Sequence, residues 1–481
     1  MSNRPETNKQ SCPVYKKCGG CQLQNLSYPE QLEFKQRKVE KLLKRFCTVE
    51  KIIGMKTPYH YRNKVQAAFY TDKKGKIISG VYQSGSHHVV GIDSCQTEDV
   101  IADKIIVAVR KLLPSFRMTT YNEDTGKGFL RHILVKRGFA TNQIMLVLVT
   151  GTPVFPSKNN FVKAILKQFP EITTIVQNIN PYRTNLVLGD NQKVLYGKGY
   201  IEDILCGCRF RISPKSFYQI NPVQTEVLYG KAIEFANLKG NETVLDTYCG
   251  IGTIGIIAAK NGAGNVIGAE LNGDAVRDAI VNARANNLKN IRFYKADAGE
   301  FMREAADEDE KPDVVFMDPP RAGSDRKFLD SLIKMPPKKV VYVSCNPETL
   351  ARDLAYLTQN SPYKAQKIQP VDMFPHTAHI ETVVKLVRKT PDAYVDLKVD
   401  MDELDLTASE AKATYEEIKQ YILDKYDTKV SNLYIAQVKE KYGIIERENY
   451  NKPKSANTKQ SQCPAEKAVM IEEAFKHFKM I

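Results

Sequence analysis

The sequence has no apolar run long enough to cross a membrane. Its longest strongly apolar segments, such as Ile144–Val149, are far shorter than the ~20 residues that a membrane-spanning helix needs. The first ten residues are polar and lack the apolar core of a secretory signal, so we expect a cytoplasmic protein. Disorder is excluded as well, because 42% of the 481 residues are hydrophobic. A chain of this length has room for roughly two to four domains.

Acidic residues are relatively scarce in the first 390 positions. The whole chain has a formal net charge of +15, but residues 391–481 hold 14 basic and 17 acidic residues, which leaves +18 on the first 390. A basic body indicates a polyanionic partner, most simply nucleic acid. The alternative is ordinary solubility charge, and charge alone does not separate the two interpretations.

Ten cysteines in a cytoplasmic protein favour metal binding or catalysis over disulfides. Three of them lie close together near the N-terminus: Cys12, Cys18 and Cys21. Cys95 is the leading candidate for a fourth ligand, and four thiolates suit an iron–sulfur cluster. Zinc is the alternative metal, with His87 or His88 as a further ligand. Three free surface thiols would be the interpretation without a metal.

Three changes of pattern predict the domain organisation. Residues 1–50 contain the cysteine segment and a helix over Gln31–Leu43, and residues 51–205 form a β-rich central domain. The central strands are predicted at Val65–Tyr70, Ile133–Val135, Ile144–Val149, Ile175–Asn178 and Leu186–Leu188. Residues 206–390 alternate strands and helices, which is typical of a parallel, doubly wound α/β sheet. Its last two strands, Lys367–Val371 and Ile380–Val387, must be antiparallel because only a short loop joins them.

Residues 391–481 are predicted to be a helical extension. A capping box at Thr407 and Glu410 begins a helix to Tyr426, and two further helices run over Ser431–Tyr442 and Pro464–Met480. A helix-turn-helix nucleic-acid module is the weaker alternative, because this segment is slightly acidic.

Six polar side chains fall at one edge of the predicted parallel sheet. Asp246, Glu270, Asp297, Asp318 and Cys345 lie at or just beyond strand ends, and Glu381 begins the antiparallel last strand. Ligands of such sheets bind at the carboxyl ends of the strands. Core packing does not require six such residues at one edge, so we expect an active site there.

The first strand of this region leads into a glycine loop, Asp246 to Gly252. Glu270, 18 residues after Gly252 at the end of the next strand, stands where a carboxylate meets a ribose diol. The acid precedes the glycines, as in proteins that bind S-adenosylmethionine. The pattern therefore predicts a nucleoside-type cofactor, with a purely structural turn as the alternative.

Cys345 follows another strand in the sequence Ser-Cys-Asn-Pro, downstream of the Asp-Pro-Pro-Arg turn at Asp318–Arg321. A thiolate can add to an electron-poor ring carbon while a carboxylate orients the ring. An amino-group methylase would use Asp318 without Cys345. The structural alternatives are a helix-capping Asp318 and a buried, unreactive Cys345.

Together these stretches resemble the uridine-C5 RNA methyltransferase family, specifically its iron–sulfur branch that acts on 23S rRNA. The resemblance covers about residues 10–389 and rests on the cysteines, Ser216–Asn221, Asp246–Gly252, Asp318–Arg321, Ser344–Pro347 and His379–Thr382. It implies a Rossmann-like class I methyltransferase domain, S-adenosyl-L-methionine and a [4Fe-4S] cluster. It also implies Cys345 as nucleophile and Glu381 as general base. The residues lining the cofactor and uracil site would be Gln219, Tyr248, Glu270, Asp297 and Asp318, with Phe217 against the base.

By this resemblance the expected product is 5-methyluridine, formed through a covalent adduct between Cys345 and C6 of uracil. We expect the surroundings to activate the thiol, and Tyr59–Lys64 and Arg131–His132 are candidate RNA contacts. RNA is the expected partner, with no membrane and no obligate protein partner. The alternatives are tRNA methylation, a non-catalytic RNA-binding assembly factor and a redox iron–sulfur protein. Residues 391–481 extend past the family's usual end.

Overall fold

The structure is a computed structural model that describes residues 12–83, 86–184, 186–307, 311–389, 413–442, 463–478 and 480–481. The chain divides into two compact units, Met1–Thr390 and Pro391–Ile481. None of the helices in the described ranges combines the length and the apolar character needed to cross a membrane.

Strands and helices alternate through most of the first unit. The described strands are β1 (Lys64–Thr71), β2 (Ile77–Tyr82), β3 (Val89–Gly91), β4 (Leu130–Arg137), β5 (Ile144–Thr150), β6 (Ile172–Ile179), β7 (Asn191–Tyr196), β8 (Ile201–Leu205), β9 (Cys208–Ile212), β10 (Thr243–Thr247), β11 (Asn265–Glu270), β12 (Ile291–Lys295), β13 (Val314–Met317), β14 (Lys339–Ser344), β15 (Tyr363–Val371) and β16 (Glu381–Arg388). The described helices are α1 (Tyr15–Cys18), α2 (Tyr28–Leu43), α3 (Val100–Leu112), α4 (Lys158–Gln168), α5 (Pro222–Ala236), α6 (Thr253–Lys260), α7 (Gly273–Ala285), α8 (Ala298–Asp307), α9 (Arg326–Lys334), α10 (Pro347–Asn360), α11 (Tyr415–Tyr426), α12 (Asn432–Lys441) and α13 (Ala465–His477).

Two seven-stranded sheets organise the first unit. The first has the order β3-β2-β1-β4-β5-β6-β7, and the second has the order β12-β11-β10-β13-β14-β16-β15. In the second sheet β12, β11, β10, β13 and β14 are parallel, whereas β16 runs antiparallel to both β14 and β15. The predicted Rossmann-like α/β fold with an antiparallel last strand is therefore confirmed.

The two sheets share a hydrophobic core. Met145 and Val147 of β5 belong to the same buried cluster as Phe210 of the β8–β9 hairpin, Leu228 of α5 and Val341 of β14. Every residue of β5 is buried, which explains its continuous apolar sequence. The outer face of the first sheet is covered by α3 and α4, and that of the second by α2, α9 and α10.

The middle of the chain contains two helices that the β-rich prediction did not include. Asp99 caps α3, accepting hydrogen bonds from the backbone N–H groups of Ile101 and Ala102, and Ile105 and Val109 bury its inner face. The Asp99 cap and the helical spacing of these apolar residues were visible in the sequence. The predicted strand at Leu186–Leu188 is wrong, because these residues lie in a loop before β7.

Helix α2 begins at Tyr28, three residues before its predicted start. A capping box of Ser27 and Glu30 fixes this beginning. The Ser27 side chain accepts a hydrogen bond from the backbone N–H of Glu30, and the Glu30 side chain accepts one from the backbone N–H of Ser27. Val39 and Leu43 on its buried face pack into the core of the second sheet. The cysteine segment therefore leads directly into a helix that belongs to the second sheet's outer layer.

The second unit is helical in its described residues, as predicted. Helices α11, α12 and α13 bury one small apolar cluster that includes Ile418, Ile435 and Phe475. Helix α11 begins at a capping box of Thr414 and Glu417. The predicted box at Thr407 lies outside the described residues.

A buried ion pair attaches α2 to the connection between β15 and β16, residues 372–380. Lys35 Nζ donates to Asp372 Oδ1 at 2.5 Å and to the carbonyl oxygen of Phe374 at 3.0 Å, and both charged side chains are fully buried. Tyr28 Oη donates to the other oxygen of Asp372 at 2.9 Å. The backbone N–H of His376 donates to Gln31 at 2.8 Å. The β15–β16 connection, which leads directly to Glu381, is thus fixed by one face of α2.

Replacing Lys35 with methionine should destabilise the protein by about 3 kcal/mol, because it leaves Asp372 buried without its counter-charge. Lys38→Met on the same helix is the control. Lys38 pairs with Glu348 at a partly exposed site, so its loss should cost less than about 1 kcal/mol. Urea unfolding of both variants measures the difference, and equal losses would contradict the role given to the buried pair.

Candidate active site

Five of the six side chains predicted at one sheet edge line a single cavity of about 720 Å³. These five are Asp246, Glu270, Asp318, Cys345 and Glu381. Strands β10, β11, β13 and β14 are parallel and end at this edge, and antiparallel β16 begins there. Ser344 pairs with Thr382, so Cys345 and Glu381 leave neighbouring strands side by side. Gln219, Tyr248 and Phe217 line the same cavity.

Asp297 does not line this cavity. Its Oδ1 accepts hydrogen bonds from the backbone N–H groups of Gly299 at 3.0 Å and Glu300 at 3.1 Å. The carboxylate therefore caps the beginning of α8. A role for Asp297 at the cofactor stays a prediction.

The glycine loop after β10 has a tightly constrained backbone. Tyr248, Gly250 and Gly252 all adopt positive φ angles, of 62°, 55° and 82°. A Cβ at Gly252 would lie 2.7 Å from the Phe293 ring, so only glycine fits there. Tyr248 carries a side chain in this disfavoured region, and its hydroxyl lies 3.1 Å from that of Ser324. Tyr248, Cys249, Gly250 and Ile251 of this loop line the cavity, where a cofactor cradle is expected.

Two carboxylates accept hydrogen bonds from the backbone of this loop and of the helix that follows it, α6. Glu270 accepts hydrogen bonds from the backbone N–H groups of Gly250 at 3.1 Å and Asn272 at 2.8 Å. Asp246 is buried and accepts from the N–H of Gly255 at 2.7 Å. Burial, together with smaller contributions from nearby Asp318 and Glu270, raises the pKa of Asp246 to about 8 despite the Gly255 hydrogen bond, which lowers it.

The turn that carries Cys345 is fastened to the turn that follows Asp318. Asn346 caps α10 by accepting from the N–H of Glu348, and its Nδ2 donates to the carbonyl oxygen of Arg321 at 3.1 Å. Thr349 donates to the same carbonyl at 3.3 Å. Asn346 therefore both begins the helix and joins the two turns, which accounts for the Cys-Asn-Pro sequence.

Burial shifts all three acid groups of the centre toward their uncharged forms. It raises the pKa of Asp318 to about 7 and that of Cys345 to about 11, and it holds the pKa of Glu381 well above its usual range. The neighbouring carboxyls act in the same direction, whereas Arg321 lowers the pKa of Cys345 and Glu381. The expected activation of the thiol is thus absent, because desolvation outweighs the single nearby cation.

The segment before α5 forms another part of the cavity wall and is held by two elements, β4 and α7. Lys136 of β4 is buried and donates to the carbonyl oxygens of Ser213 at 2.9 Å and Ser216 at 2.8 Å. Ser216 Oγ donates to Asp278 of α7 at 2.8 Å. These hydrogen bonds fix the segment that contains Phe217, whose surface is 64% exposed to solvent. An exposed aromatic ring fixed beside a cavity is suited to packing against a planar ligand.

Several cavity residues were not predicted from the sequence to line the cofactor and uracil site, although Arg62 was among the candidate RNA contacts. They are Arg62, Tyr229, Arg321, Phe374, Thr377 and His379. His379 accepts a hydrogen bond from Arg321, and burial together with Arg321 lowers the pKa of its ring. Arg62, Arg321 and His379 lay within stretches already quoted, whereas Tyr229 and Phe374 gave no signal because only the fold brings them to the cavity.

The four predicted metal-binding cysteines line a second, smaller cavity. They are Cys12, Cys18, Cys21 and Cys95. Gly19 ends α1 in the left-handed conformation at φ 69°, which turns the chain so that Cys18 and Cys21 face the same space. Burial and the neighbouring thiols raise the pKa of Cys21 to about 12. A set of four thiols around one cavity fits the donor set of an iron–sulfur cluster.

The geometry does not by itself establish a metal site. In the part of the chain that the structure describes, no three Cys, His, Asp or Glu side chains converge closely enough to hold a metal ion. The histidines suggested for a zinc site lie elsewhere. His87 is exposed with Nδ1 3.1 Å from Asp124, and neither His87 nor His88 lines the cysteine cavity.

The predicted RNA contact at Arg131 and His132 is wrong, because both side chains are buried. Arg131 donates to Glu123 at 2.8 Å and to the carbonyl oxygens of Asn180 and Tyr182 at 2.8 Å. Burial lowers the pKa of His132 to about 4, so this ring is neutral. The pair stabilises the interior of the first sheet.

The chain is similar to known RNA methyltransferases over most of its length. The family model for tRNA (uracil-5-)-methyltransferases matches residues 183–389. An uncharacterized RNA methyltransferase of Bacillus cereus is 43% identical over 389 residues, which covers 80% of this chain and 84% of the relative. Another from Listeria monocytogenes is 46% identical over 379 residues, covering 78% and 83%.

A solved structure shares the fold as well as the sequence. The tRNA (uracil-54, C5)-methyltransferase of Pyrococcus abyssi, in complex with S-adenosyl-L-homocysteine, matches with a TM-score of 0.65 and 31% identity. The match covers 79% of this chain and 88% of that one.

Asp246→Asn should change how stability depends on pH in the absence of ligands. Because burial raises the folded pKa of Asp246 to about 8, the folded state binds more protons than the unfolded state between about pH 4 and pH 8. The free energy of unfolding of the wild type should therefore fall through this window, by at most ~1.4 kcal/mol per pH unit from this group. Asp246→Asn should show a shallower fall in denaturant titrations. Parallel pH profiles of the two proteins would contradict a buried, uncharged Asp246.

Proposed function

The chain belongs to the RNA uracil-C5 methyltransferase family, and from that premise we propose that it methylates C5 of a uridine in 23S rRNA through a bond between Cys345 and C6. The observation that carries the proposal is the convergence of Cys345, Asp318 and Glu381 at one cavity beside a glycine-loop cofactor cradle. A methylase that acts on an exocyclic amine would need Asp318 but neither of the other two.

The cofactor of this family is S-adenosylmethionine, which supplies an electrophilic methyl group when bound. The Tyr248–Gly252 loop, Asp246 and Glu270 are suited to hold it, because they form the polar cradle at the ends of β10 and β11. Phe217 packs against the uracil ring, while Gln219 and Asp318 hydrogen-bond its polar edge. The target base leaves its stack to enter, which costs a few kcal/mol that RNA contacts must offset.

The covalent step makes C5 nucleophilic. The Cys345 thiol gives up its proton to solvent, aided by Arg321, which lowers the pKa of both Cys345 and Glu381. The thiolate would then form a bond to C6, and C5 of the resulting enolate would take the methyl group as the bond from that methyl to the cofactor sulfur breaks, which releases S-adenosylhomocysteine. Glu381 would remove the C5 proton, the C5–C6 double bond would re-form, and Cys345 would leave as a thiolate, which yields 5-methyluridine.

We place the substrate in 23S rRNA because the four cysteines resemble the ribosomal, iron–sulfur branch of the family. tRNA is the second candidate. It is favoured by the 31% identity to the Pyrococcus abyssi enzyme, which acts on uracil-54 of tRNA. The first 390 residues carry the positive charge that either RNA requires.

Cys12, Cys18, Cys21 and Cys95 would hold a [4Fe-4S] cluster. The methyl transfer needs no electron, so the cluster would have a structural role and would link the N-terminal segment to the connection between β3 and α3, which contains Cys95. Among the described residues, this segment also hydrogen-bonds the β15–β16 connection, where the N–H of Leu23 donates to the carbonyl oxygen of His376 at 3.0 Å.

Incubation of the purified protein with S-adenosylmethionine and unmodified 23S rRNA should yield 5-methyluridine, detected by nucleoside mass spectrometry. Cys345→Ala should lower the rate by at least ~10³-fold, because the nucleophile is lost. Cys47→Ala, which removes a half-buried thiol outside the cavity, should retain wild-type activity. Product on tRNA transcripts alone would move the substrate to tRNA, and product from Cys345→Ala would overturn the covalent mechanism.

RNA containing 5-fluorouridine should become covalently attached to the wild type, because fluorine at C5 cannot be removed as a proton. The complex should survive denaturing electrophoresis and be absent with Cys345→Ala. On ordinary RNA, Glu381→Gln should accumulate the same type of adduct, since its amide cannot accept the C5 proton. An adduct-free Glu381→Gln protein with normal turnover would remove Glu381 from the role of base.

Cys21→Ser should lower the iron content of anaerobically prepared protein from about four atoms per chain, because a serine hydroxyl is a poor iron ligand. Cys47→Ser is the matched control and should retain iron. Measurement of iron and zinc together separates the two metals. Equal iron in both variants, or zinc in place of iron, would contradict the cluster.

A further inference from the structure

Arg62 lies in the wall between the catalytic cavity and the cysteine cavity. Its side chain lines the catalytic cavity together with Gly20, and it is absent from the residues that line the cysteine cavity. Its positive charge lowers the pKa of Cys18 and Cys21 on one side and that of His379 on the other. The guanidinium is therefore close to both cavities but opens into the catalytic one.

The backbone around Arg62 is fixed on both sides. Its N–H donates to the carbonyl oxygen of Thr97 at 3.0 Å, and its own carbonyl accepts from Asp99. The preceding Tyr61 donates to the carbonyl oxygen of Pro375 at 2.9 Å, and the following Asn63 donates to that of Gln219 at 3.1 Å. Arg62 thus projects from a rigid strip that joins the β15–β16 connection to the Phe217 wall.

The guanidinium of Arg62 has no hydrogen-bond or ion-pair partner among the described residues, and its Nε is buried. Two other arginines also bury an unpaired Nε, but each engages its guanidinium elsewhere. Arg137 donates to Asp99 at 2.6 Å, and Arg211 lies 3.9 Å from the centre of the Tyr200 ring. A buried polar group without a partner is costly, so Arg62 is arranged for an anionic ligand that enters the cavity.

We propose that Arg62 binds a phosphodiester of the substrate RNA, at a nucleotide adjacent to the uridine that occupies the cavity. This inference rests on the proposed function only in that RNA must enter the catalytic cavity. A uridine turned out of its stack brings its flanking phosphates to the rim, and a guanidinium pairs with a phosphate through two parallel hydrogen bonds. Arg321, which also lines the cavity, already donates to His379, whereas the guanidinium of Arg62 has no such partner among the described residues.

The location of Arg62 favours RNA over the thiolates as its partner. A guanidinium serving only the cysteines would line their cavity, whereas Arg62 lines the cavity that also contains Cys345 and Glu381. The cation that acts on Cys345 and Glu381 is Arg321, and its guanidinium is engaged with His379. Arg62 adds a second positive charge to the wall of the same cavity, and so sets which part of the RNA backbone lies next to the reacting base.

The test measures the binding of a labelled oligouridylate to the full-length protein in the presence of S-adenosylhomocysteine, over a range of salt concentrations. An unpaired uridine enters the cavity without an unstacking cost. Arg62→Gln should raise the dissociation constant ~10-fold or more and reduce the slope of log K against log salt by ~0.7, the value for one lost phosphate contact on single-stranded RNA. Arg62→Lys should retain the slope with intermediate affinity, because lysine keeps the charge but not the planar fork.

Arg292→Gln removes an exposed arginine of β12 outside the cavity and should leave both affinity and slope near the wild-type values. An Arg62→Gln protein with unchanged affinity, or with weaker binding and an unchanged salt slope, would overturn the phosphate contact. Iron is measured in every variant. Two results together would assign Arg62 to the cysteines instead of the RNA. They are loss of iron from Arg62→Gln and full recovery of RNA affinity in an Arg62→Lys protein that retains its iron. Absence of 5-methyluridine from the wild type would defeat the proposed function separately, since this test reads only binding.

Discussion

The buried pair of Lys35 and Asp372 is the interaction on which the geometry of the active site depends. It fixes the β15–β16 connection against α2, and the same connection receives hydrogen bonds from Asn221 and Gln224 at the beginning of α5. Glu381 follows this connection directly. A charge pair in a dry interior tolerates little displacement, because either partner alone would be left desolvated. Glu381, the proposed base, thus follows a connection that is held by α5 and by α2, whose Lys35 lies 337 residues before Asp372 in the sequence.

Desolvation shapes the chemistry of the cavity as strongly as its residues do. Asp246, Asp318, Glu381 and Cys345 all have raised pKa values, so near neutral pH Asp246, Glu381 and Cys345 are largely uncharged and Asp318 is partly charged. Because the folded protein binds these protons more tightly than the unfolded chain, its free energy of unfolding falls as pH rises. The uncharged side chains also leave few charges in the cavity to compete with an incoming ligand. Activation of the thiol is then coupled to ligand binding, because only new charges or hydrogen bonds in the cavity can favour its ionised form.

Much of the second sheet and its active site could be predicted from the sequence. Strand–helix alternation predicted parallel strands, and that topology alone brought Asp246, Glu270, Asp318 and Cys345 to one edge. The short link before the last strand placed Glu381 beside them. The prediction was weaker in the first sheet, where α3 and α4 were missed and Arg131 was taken for a surface residue. Arg131 is buried against Glu123 and Asn180, and the residues next to Arg131 in the sequence do not indicate that these contacts form.

The sequence alone predicts the chemical groups of the site: the proposed nucleophile and base, the glycine loop and the four thiols. These follow from residue types at strand ends and in turns, where local geometry and reactivity are set by a few neighbours in the chain. The packed fold defines which of these groups meet, how their surroundings shift their pKa values, and that Arg62 lines the catalytic cavity without a hydrogen-bond partner among the described residues. Burial, pKa and unsatisfied hydrogen bonds depend on residues far apart in sequence, so they become defined only when the two sheets and α2 pack together.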